Sequence, residues 1–362
     1  MENVFALKLK ELRNRYQYSL QDLADQIGVA KQSIHKFESG LVSPSDQTIL
    51  KLADVFNVPY SFFYDNPEAF SFNFENIKFR DGHKIEEREE LQDDIKREVL
   101  NYISRFVVLE KLMGITRDFE NPLSGLEIMD EKDIEKAAKL LRKKWKIGND
   151  PISDVVETLE TKGIFVVEIT RPDNFTGLSG MLNEDIPLIV LNDNCLTVER
   201  KRFTALHELG HIILEFAEDF TDQKVEFFCN YFAGAILIVD EALYSELGKN
   251  RTVISLSELR RIKEGYGISI QAIIVRARTT GFINYQTYKD WSKSYEEWRE
   301  SETRENDFGH FNCTEKATKF NTLLLQGVTE KRISWSKASE LTGKKIDVLK
   351  KEMGDLNFTV KR

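Results

Sequence analysis

His207-Glu208-Leu209-Gly210-His211 sets two imidazoles four residues apart, with a carboxylate one residue after the first. On a helix this spacing is about one turn, so both imidazoles leave the same face and can grip one ion. Two imidazoles and a third donor suit tetrahedral Zn²⁺ with its fourth corner left to water. Glu208 stands beside a ligand and can reach that water without binding the ion. Zinc lowers the pKa of such a water to about 7, and a carboxylate placed there takes the proton as the water attacks a carbonyl. A zinc site kept only for folding usually relies on Cys, and has no use for a Glu beside an open position, so the pattern points to catalysis.

A third ligand must come from elsewhere. The continuation with Gly at 214 and His at 217 that marks metzincins is absent, those positions being Leu214 and Ala217. The candidates further along are Glu215, Asp219, Asp222 and Glu226. Glu226 stands out because a helix from Gln223 to about Val239 places it four residues before Asn230. The Glu could bind metal while Asn230 hydrogen-bonds the other nitrogen of a ligand imidazole. Glu215 reads as a surface residue on the first helix. Arg200 and Arg202, just upstream of the metal helix, are expected to form salt bridges, with phosphate binding as the alternative. Tyr231, Tyr244 and His310 are candidates for stabilising an oxyanion. Cys195 reads as a small thiol, with inhibition of the zinc as its alternative role. Cys229 reads as core.

A second constellation lies near the start. Ala24, Gly28 and Ile34 supply a small residue where two helices cross, a residue tolerant of positive φ in the turn and an apolar anchor for the second helix, the needs of a helix-turn-helix. Ser19 with Asp22 reads as a variant capping box. The second helix is expected from about Ala30 to Ser39. Its polar residues Lys31, Gln32, Ser33, His35 and Lys36 suit base edges and phosphates in a major groove.

Helices of short amphipathic period fill residues 5 to 64. The stretch from Phe70 to Asp81 lacks helical period and reads as an extended linker, followed by a long helix from Ile85 to Met113. Ile95, Val99, Tyr102, Phe106, Leu109 and Met113 form a short heptad seam on it, read as packing within the chain, with a dimerising coiled coil as the alternative. Helices over 134–145 and 152–161 precede three strands, Ile164–Ile169, Leu178–Leu182 and Leu188–Leu191, after which helices resume. Residues 299–307 read as a solvated connection. Ile333 to Met353, with Ala338, Leu341, Gly343, Ile346 and Leu349, echoes helix-turn-helix spacing, with a capping bundle as the blander reading. The predicted fold is α+β and mostly helical: a five-helix helix-turn-helix domain at 1–66, a linking helical segment at 67–130, a zincin-like domain with a small sheet at 131–290 and a helical unit at 291–362.

The 362 residues carry a formal charge of -9, so the protein is not coated in positive charge and any DNA contact must be local. Residues 1–65 are close to neutral, with seven basic and eight acidic residues, whereas residues 313–362 hold eleven basic and six acidic. With 41% hydrophobic residues the chain can build sizeable cores. Three cysteines without framework spacing and no apolar run long enough to span a bilayer read as a cytoplasmic, disulfide-free protein with no membrane partner.

Over residues 5–64, SLQDLADQIGVAKQSIHKFESG followed by LVSPSDQTILKLADVFNVP resembles the XRE, phage-repressor-like family. A Gln often found at the start of the first motif helix, where it holds a phosphate, is Leu20 here. From about 75 to 245, FRDGHK, PISDVVETLETKGIFVV, FTGLSG, PLIVLND, RKRFTALHELGHIIL and EFFCNYFAGAIL resemble the ImmA/IrrE family of zinc metallopeptidases. That resemblance implies a gluzincin-like fold in which His207, His211 and Glu226 bind Zn²⁺, Glu208 is the base and an edge strand holds an extended peptide. The family's second Glu, two residues before the Asn, is Phe228 here. Together the resemblances imply a transcriptional regulator that binds a double-stranded operator and cleaves a repressor-type protein at a stress, mobile-element or defence locus, with single-stranded DNA as a candidate activator. A homodimer is expected because lone modules of this kind bind weakly and read paired half-sites. The alternative is a repressor or antitoxin whose metal domain senses a ligand, nucleic acid or partner without proteolysis.

Overall fold

A computed structural model describes residues 4–16, 18–56, 63, 89–171, 175–182, 186–194, 197–300 and 308–355. The expected linker at 70–81, the FRDGHK stretch and Cys195 lie outside the described residues, as do residues 301–307 of the connection expected at 299–307, whose first two residues instead end a helix. Sixteen helices and five short strands are described, so the fold is α+β and mostly helical, as the sequence predicts. Contacts divide the chain into two compact units. One comprises residues 1–72, 101–116 and 320–362, and the other residues 73–100 and 117–319.

The first unit opens with four helices, α1 (Val4–Arg15), α2 (Leu20–Ile27), α3 (Lys31–Glu38) and α4 (Asp46–Phe56). A fifth, expected before residue 66, lies outside the described residues. Leu9, Leu12, Leu23, Ala24, Ile27, Ile34, Ile49, Leu52 and Phe56 form their shared core. Helix α5 (Glu89–Met113), of which residues 101–113 belong to this unit and 89–100 to the other, carries the heptad seam. Ile95, Val99, Phe106, Leu109 and Met113 are all buried within the chain, and Phe106 packs edge-on against Phe320 at 5.4 Å. Most of the seam is therefore covered by this chain's own side chains. Three helices close the unit: α14 (Lys319–Thr329), α15 (Trp335–Thr342) and α16 (Ile346–Asp355).

The second unit is built around one apolar cluster that runs from Leu123 to Ile283. Strand β1 (Glu127–Ile128) leads into α6 (Glu131–Lys144), α7 (Val155–Thr161) and a three-stranded sheet of β2 (Phe165–Ile169), β3 (Gly177–Leu182) and β4 (Ile186–Asn192). The order is β2-β4-β3, with β2 parallel and β3 antiparallel to the central β4. Strand β4 is almost wholly buried, which accounts for its unbroken apolar run PLIVL. Helix α8 (Val198–Ile213) follows, then β5 (Glu215–Phe216), which pairs with β1, and α9 (Asp222–Leu237). Helices α10 (Asp240–Leu247), α11 (Leu256–Tyr266), α12 (Ile270–Thr279) and α13 (Tyr285–Glu300) complete it. No single described helix is long and apolar enough to cross a membrane.

Buried polar groups in this unit are held by partners far away in sequence. Glu160 on α7 accepts backbone hydrogen bonds from Thr318 (3.1 Å) and Lys319 (3.2 Å), yet its Oε1 is buried without a partner. Burial, only partly opposed by those amides, pushes its carboxyl up to about 7 from 4.5. The folded pKa lies above the unfolded one, so the stability that the group contributes is complete below about 4.5 and lost as pH rises through about 7. Glu160→Gln, which keeps an uncharged acceptor, should leave stability near wild type at acid pH. Above pH 7 it should add about 1–3 kcal/mol, as read by urea unfolding at both pH values. An equal effect at the two pH values would rule out the ionisation as the cause.

Candidate functional site

Helix α8 is positioned by its first half. Thr197 caps it by accepting from the Arg200 amide at 3.2 Å. Lys201 reaches Glu168 on β2 and Asp193 (2.8 Å). Arg202 lies on α8 rather than upstream of it, and is fully buried. Its guanidinium pairs with the equally buried Glu315, donates to the carbonyls of Ile152 (2.6 Å) and Gly267 (3.1 Å), and lies 4.3 Å from the Phe311 ring centroid. Glu315 in turn accepts from the amides of Val155 (3.0 Å) and Val156 (3.0 Å), so one carboxylate caps α7 and neutralises α8. Of the two outcomes expected for Arg202, the salt bridge is the one formed. Arg200 is exposed.

The second half of α8 presents the histidines. Gly210 lets α9 approach, because a Cβ there would sit 3.3 Å from Cys229 Sγ and 3.4 Å from its Cα. That close crossing sets Glu226 of α9 against both imidazoles. His207 Nε2 is 3.2 Å from Glu226 Oε2, His211 Nε2 is 3.2 Å from Oε1, and the two Nε2 atoms are 3.1 Å apart. A tetrahedral zinc with bonds of ~2.0 Å has ligand atoms ~3.3 Å apart along each edge, close to the separation of the two Nε2 atoms; each faces a different Glu226 oxygen, and one ligand atom from each of the three side chains lies within 4.8 Å of the others. Among the described residues only one other set could hold an ion by proximity, Asp154, Cys313 and Glu315, and there Glu315 is committed to Arg202 and to the α7 amides.

The electrostatics follow from this crowding. Hydrogen bonds from His207 and then His211 hold the Glu226 carboxyl far below its ordinary value. Burial works against a charged His207, but its hydrogen bond to Glu226 and the charges of Glu208 and Glu226 outweigh it and raise its pKa. His207 Nδ1 is buried and has no hydrogen bond. His211 Nδ1 lies 3.4 Å from Cys229 Sγ. Asn230, exposed on α9, stands near His207 and is among the groups that raise it. Cys229 is fully buried, as its core reading requires, and it also touches the histidine pair through His211.

Glu208 is buried, and burial raises its pKa. Its Oε2 accepts a 2.7 Å hydrogen bond from Ser179 Oγ on β3. Gly177, two residues earlier on that strand, has no room for a Cβ, which would lie 2.7 Å from Thr204 on α8 and 3.5 Å from Glu208 Cγ. The strand is thereby laid directly against α8 beside Glu208. Sequence reasoning gave neither Gly177 nor Ser179 a role, although both fall in the FTGLSG stretch. Among the described strands β3 pairs on one side only, with β4.

The other candidates lie apart from this cluster. Helix α8 ends at Ile213 and Leu214 turns extended, so Glu215 sits in β5 rather than on the helix, exposed and accepting from the Gly125 amide at 3.2 Å. Tyr231 donates to Glu135 at 2.9 Å, and burial followed by the Glu135 charge pushes its phenol up to about 12. Tyr244 and His310 are exposed.

In the first unit, α2 begins at the Ser19–Asp22 capping box and ends at Gly28, whose φ of 71° is the left-handed conformation the turn needs. Ile34 is wholly buried and seats α3 on α1 and α2. Arg13 clamps α3 from α1 through two contacts to Glu38, at 2.6 and 3.0 Å. With that face turned inward, Lys31, Gln32, His35 and Lys36 are exposed and Ser33 is half-buried. Leu20, where a phosphate-binding Gln is often found, packs against the apolar core.

Residues 160–278 match the family described as the IrrE N-terminal-like domain, and residues 9–63 match the helix-turn-helix family, which is the fusion the sequence suggests. A Pyrococcus furiosus protein named as an HTH-type transcriptional regulatory protein is 22% identical over 160 residues, 44% of this chain and 47% of that relative. The Escherichia coli HTH-type transcriptional regulator SutR is 36% identical over 72 residues, 19% of this chain and 40% of the relative. The cryptic phage CTXphi transcriptional repressor RstR of Vibrio cholerae is 26% identical over 116 residues, 32% of this chain and 99% of the relative. The chain spans about half the length of the Pyrococcus regulators it matches.

Proposed function

We propose that the protein is a DNA-binding transcriptional regulator with a zinc-dependent endopeptidase centre, and that it hydrolyses a repressor-type protein. The observation that carries the peptidase half is the convergence of His207, His211 and Glu226 at 3.1–3.2 Å with a buried, non-ligating Glu208 alongside. Zinc held by those three residues supplies Lewis-acid polarisation. Glu208 takes the proton of the attacking water and returns it to the departing amine. Ser179 holds Oε2 of that carboxylate and leaves Oε1 to carry the proton. The open side of β3 binds the substrate as an added strand, through backbone hydrogen bonds that place its carbonyl beside Glu208. Gly177 is what lets the strand lie so close. Helix α3 enters the major groove, and pairing of two copies matches paired half-sites.

Glu226→Ala should cost the purified chain its zinc, by elemental analysis, while duplex binding persists. Gln32→Ala should weaken binding to the selected operator by about 1–3 kcal/mol and relax the choice of one base pair. The reading as a whole is tested by incubating zinc-loaded protein with helix-turn-helix proteins encoded beside it, with and without single-stranded DNA. A fragment that forms with wild type and not with a Glu208 variant supports it. Bound zinc without a fragment under any of these conditions would leave the non-proteolytic alternative.

A further inference from the structure

Helices α15 and α16 share the cap, turn and anchor spacing of α2 and α3. Ser19 and Ser334 each lie nine residues before a glycine, and each caps its helix by accepting from the amide three residues on, Asp22 and Lys337. Each cap starts an eight-residue helix, Leu20–Ile27 or Trp335–Thr342. Gly28 and Gly343 then adopt φ of 71° and 69°, and each donates its amide to the carbonyl four residues back, Ala24 or Ser339. The second helix begins three residues past the glycine in both cases, at Lys31 and at Ile346. Five residues before the glycine a fully buried residue faces the core, Leu23 or Ala338, and six after it a buried aliphatic anchors the second helix, Ile34 or Leu349. Helix α14 precedes the pair, with Phe320 and Leu324 buried on it, and its Gly327 leaves room for the buried Ile333 just before the Ser334 cap.

The surface this register exposes is basic in a chain that is acidic as a whole. At seven and eight residues past the glycine, where α3 has His35 and Lys36, α16 has exposed Lys350 and Lys351. Lys345 adds a third exposed charge at the turn, while Lys344 is paired with Glu352 at 2.8 Å. At four and five past the glycine, where α3 shows Gln32 and Ser33, α16 shows Asp347 and an exposed Val348, 45% accessible. A carboxylate accepts from the cytosine 4-amino group, and an apolar side chain meets the thymine methyl.

We infer that α15 and α16 form a second reader of double-stranded DNA, with Lys345, Lys350 and Lys351 on phosphates and with Asp347 and Val348 facing pyrimidine edges that α3 does not select. Two unlike readers on one chain would let it hold two different duplex sequences. The test uses the full chain with α3 disabled by Lys31→Glu and Lys36→Glu, titrated with mixed-sequence duplex at low salt. This protein should still bind duplex. Adding Lys345→Glu, Lys350→Glu and Lys351→Glu should weaken that binding by about tenfold or more and flatten its salt dependence by two to three counterions' worth, about one per lost phosphate contact. The three corresponding Arg variants should retain it, and circular dichroism should be unchanged throughout. No duplex binding by the α3-disabled chain, no effect of the charge reversals, or equal loss with the Arg variants would each overturn the inference. A protein that pulls on these lysines while duplex does not would give the second of these results.

Discussion

Glu208→Gln should lower peptide hydrolysis by about 10²–10⁴-fold, the usual contribution of a placed general base, without reducing bound zinc. The substitution keeps size and the ability to accept from Ser179, which holds Oε2 at 2.7 Å. It removes only the capacity to take a proton. His207, His211 and Glu226 make their mutual contacts without Glu208, so elemental analysis should find wild-type metal content. Cleavage at the wild-type rate would mean that the proton goes elsewhere. Loss of metal together with activity would mean that Glu208 shapes the site instead of acting in it.

The second large effect concerns stability. Glu315→Ala would leave the Arg202 guanidinium, fully buried, without its counter-ion, and would strip two α7 amides of their acceptor. Removing one partner of such a pair costs about 3–5 kcal/mol, because the remaining charge cannot return to water. Thermal unfolding should therefore move down on the order of 10 °C for a unit of this size. Replacing both residues, Arg202→Met with Glu315→Gln, should recover much of the loss, since no bare charge then remains. A single-variant loss below about 1 kcal/mol would show that water reaches the guanidinium and that the pair is less confined than its burial suggests.

The parts of the site that share a helix were legible in the sequence. His207, Glu208 and His211 are related by helical spacing alone. Glu226 could be proposed because it lies four residues before Asn230 on one helix, so the two share a face. Caps and left-handed glycines were equally legible, since Ser19, Asp22 and Gly28 act within a few residues of one another. What could not be read were pairings across long intervals. Arg202 and Glu315 are 113 residues apart, and no local pattern says that a loop after α13 returns to plug α8. Ser179 and Gly177 were missed for a related reason. Their significance lies in how closely a strand approaches a helix, and a serine and a glycine in a strand also have many ordinary uses. Glu215 was misplaced by two residues of helix length, because Leu214 is as compatible with a helix as with the extended turn it adopts.

If the proposed peptidase reading holds, the one-sided pairing of β3 among the described strands would restrict what the enzyme can cut. A polypeptide can join that edge only after its own amides and carbonyls have been freed from internal partners, so a helix or a paired strand of a folded protein is refused on backbone grounds before any side chain is inspected. Scission would fall in tethers and hinges between domains. A repressor cut there would lose the connection between its DNA-binding and assembly halves while each half stayed intact.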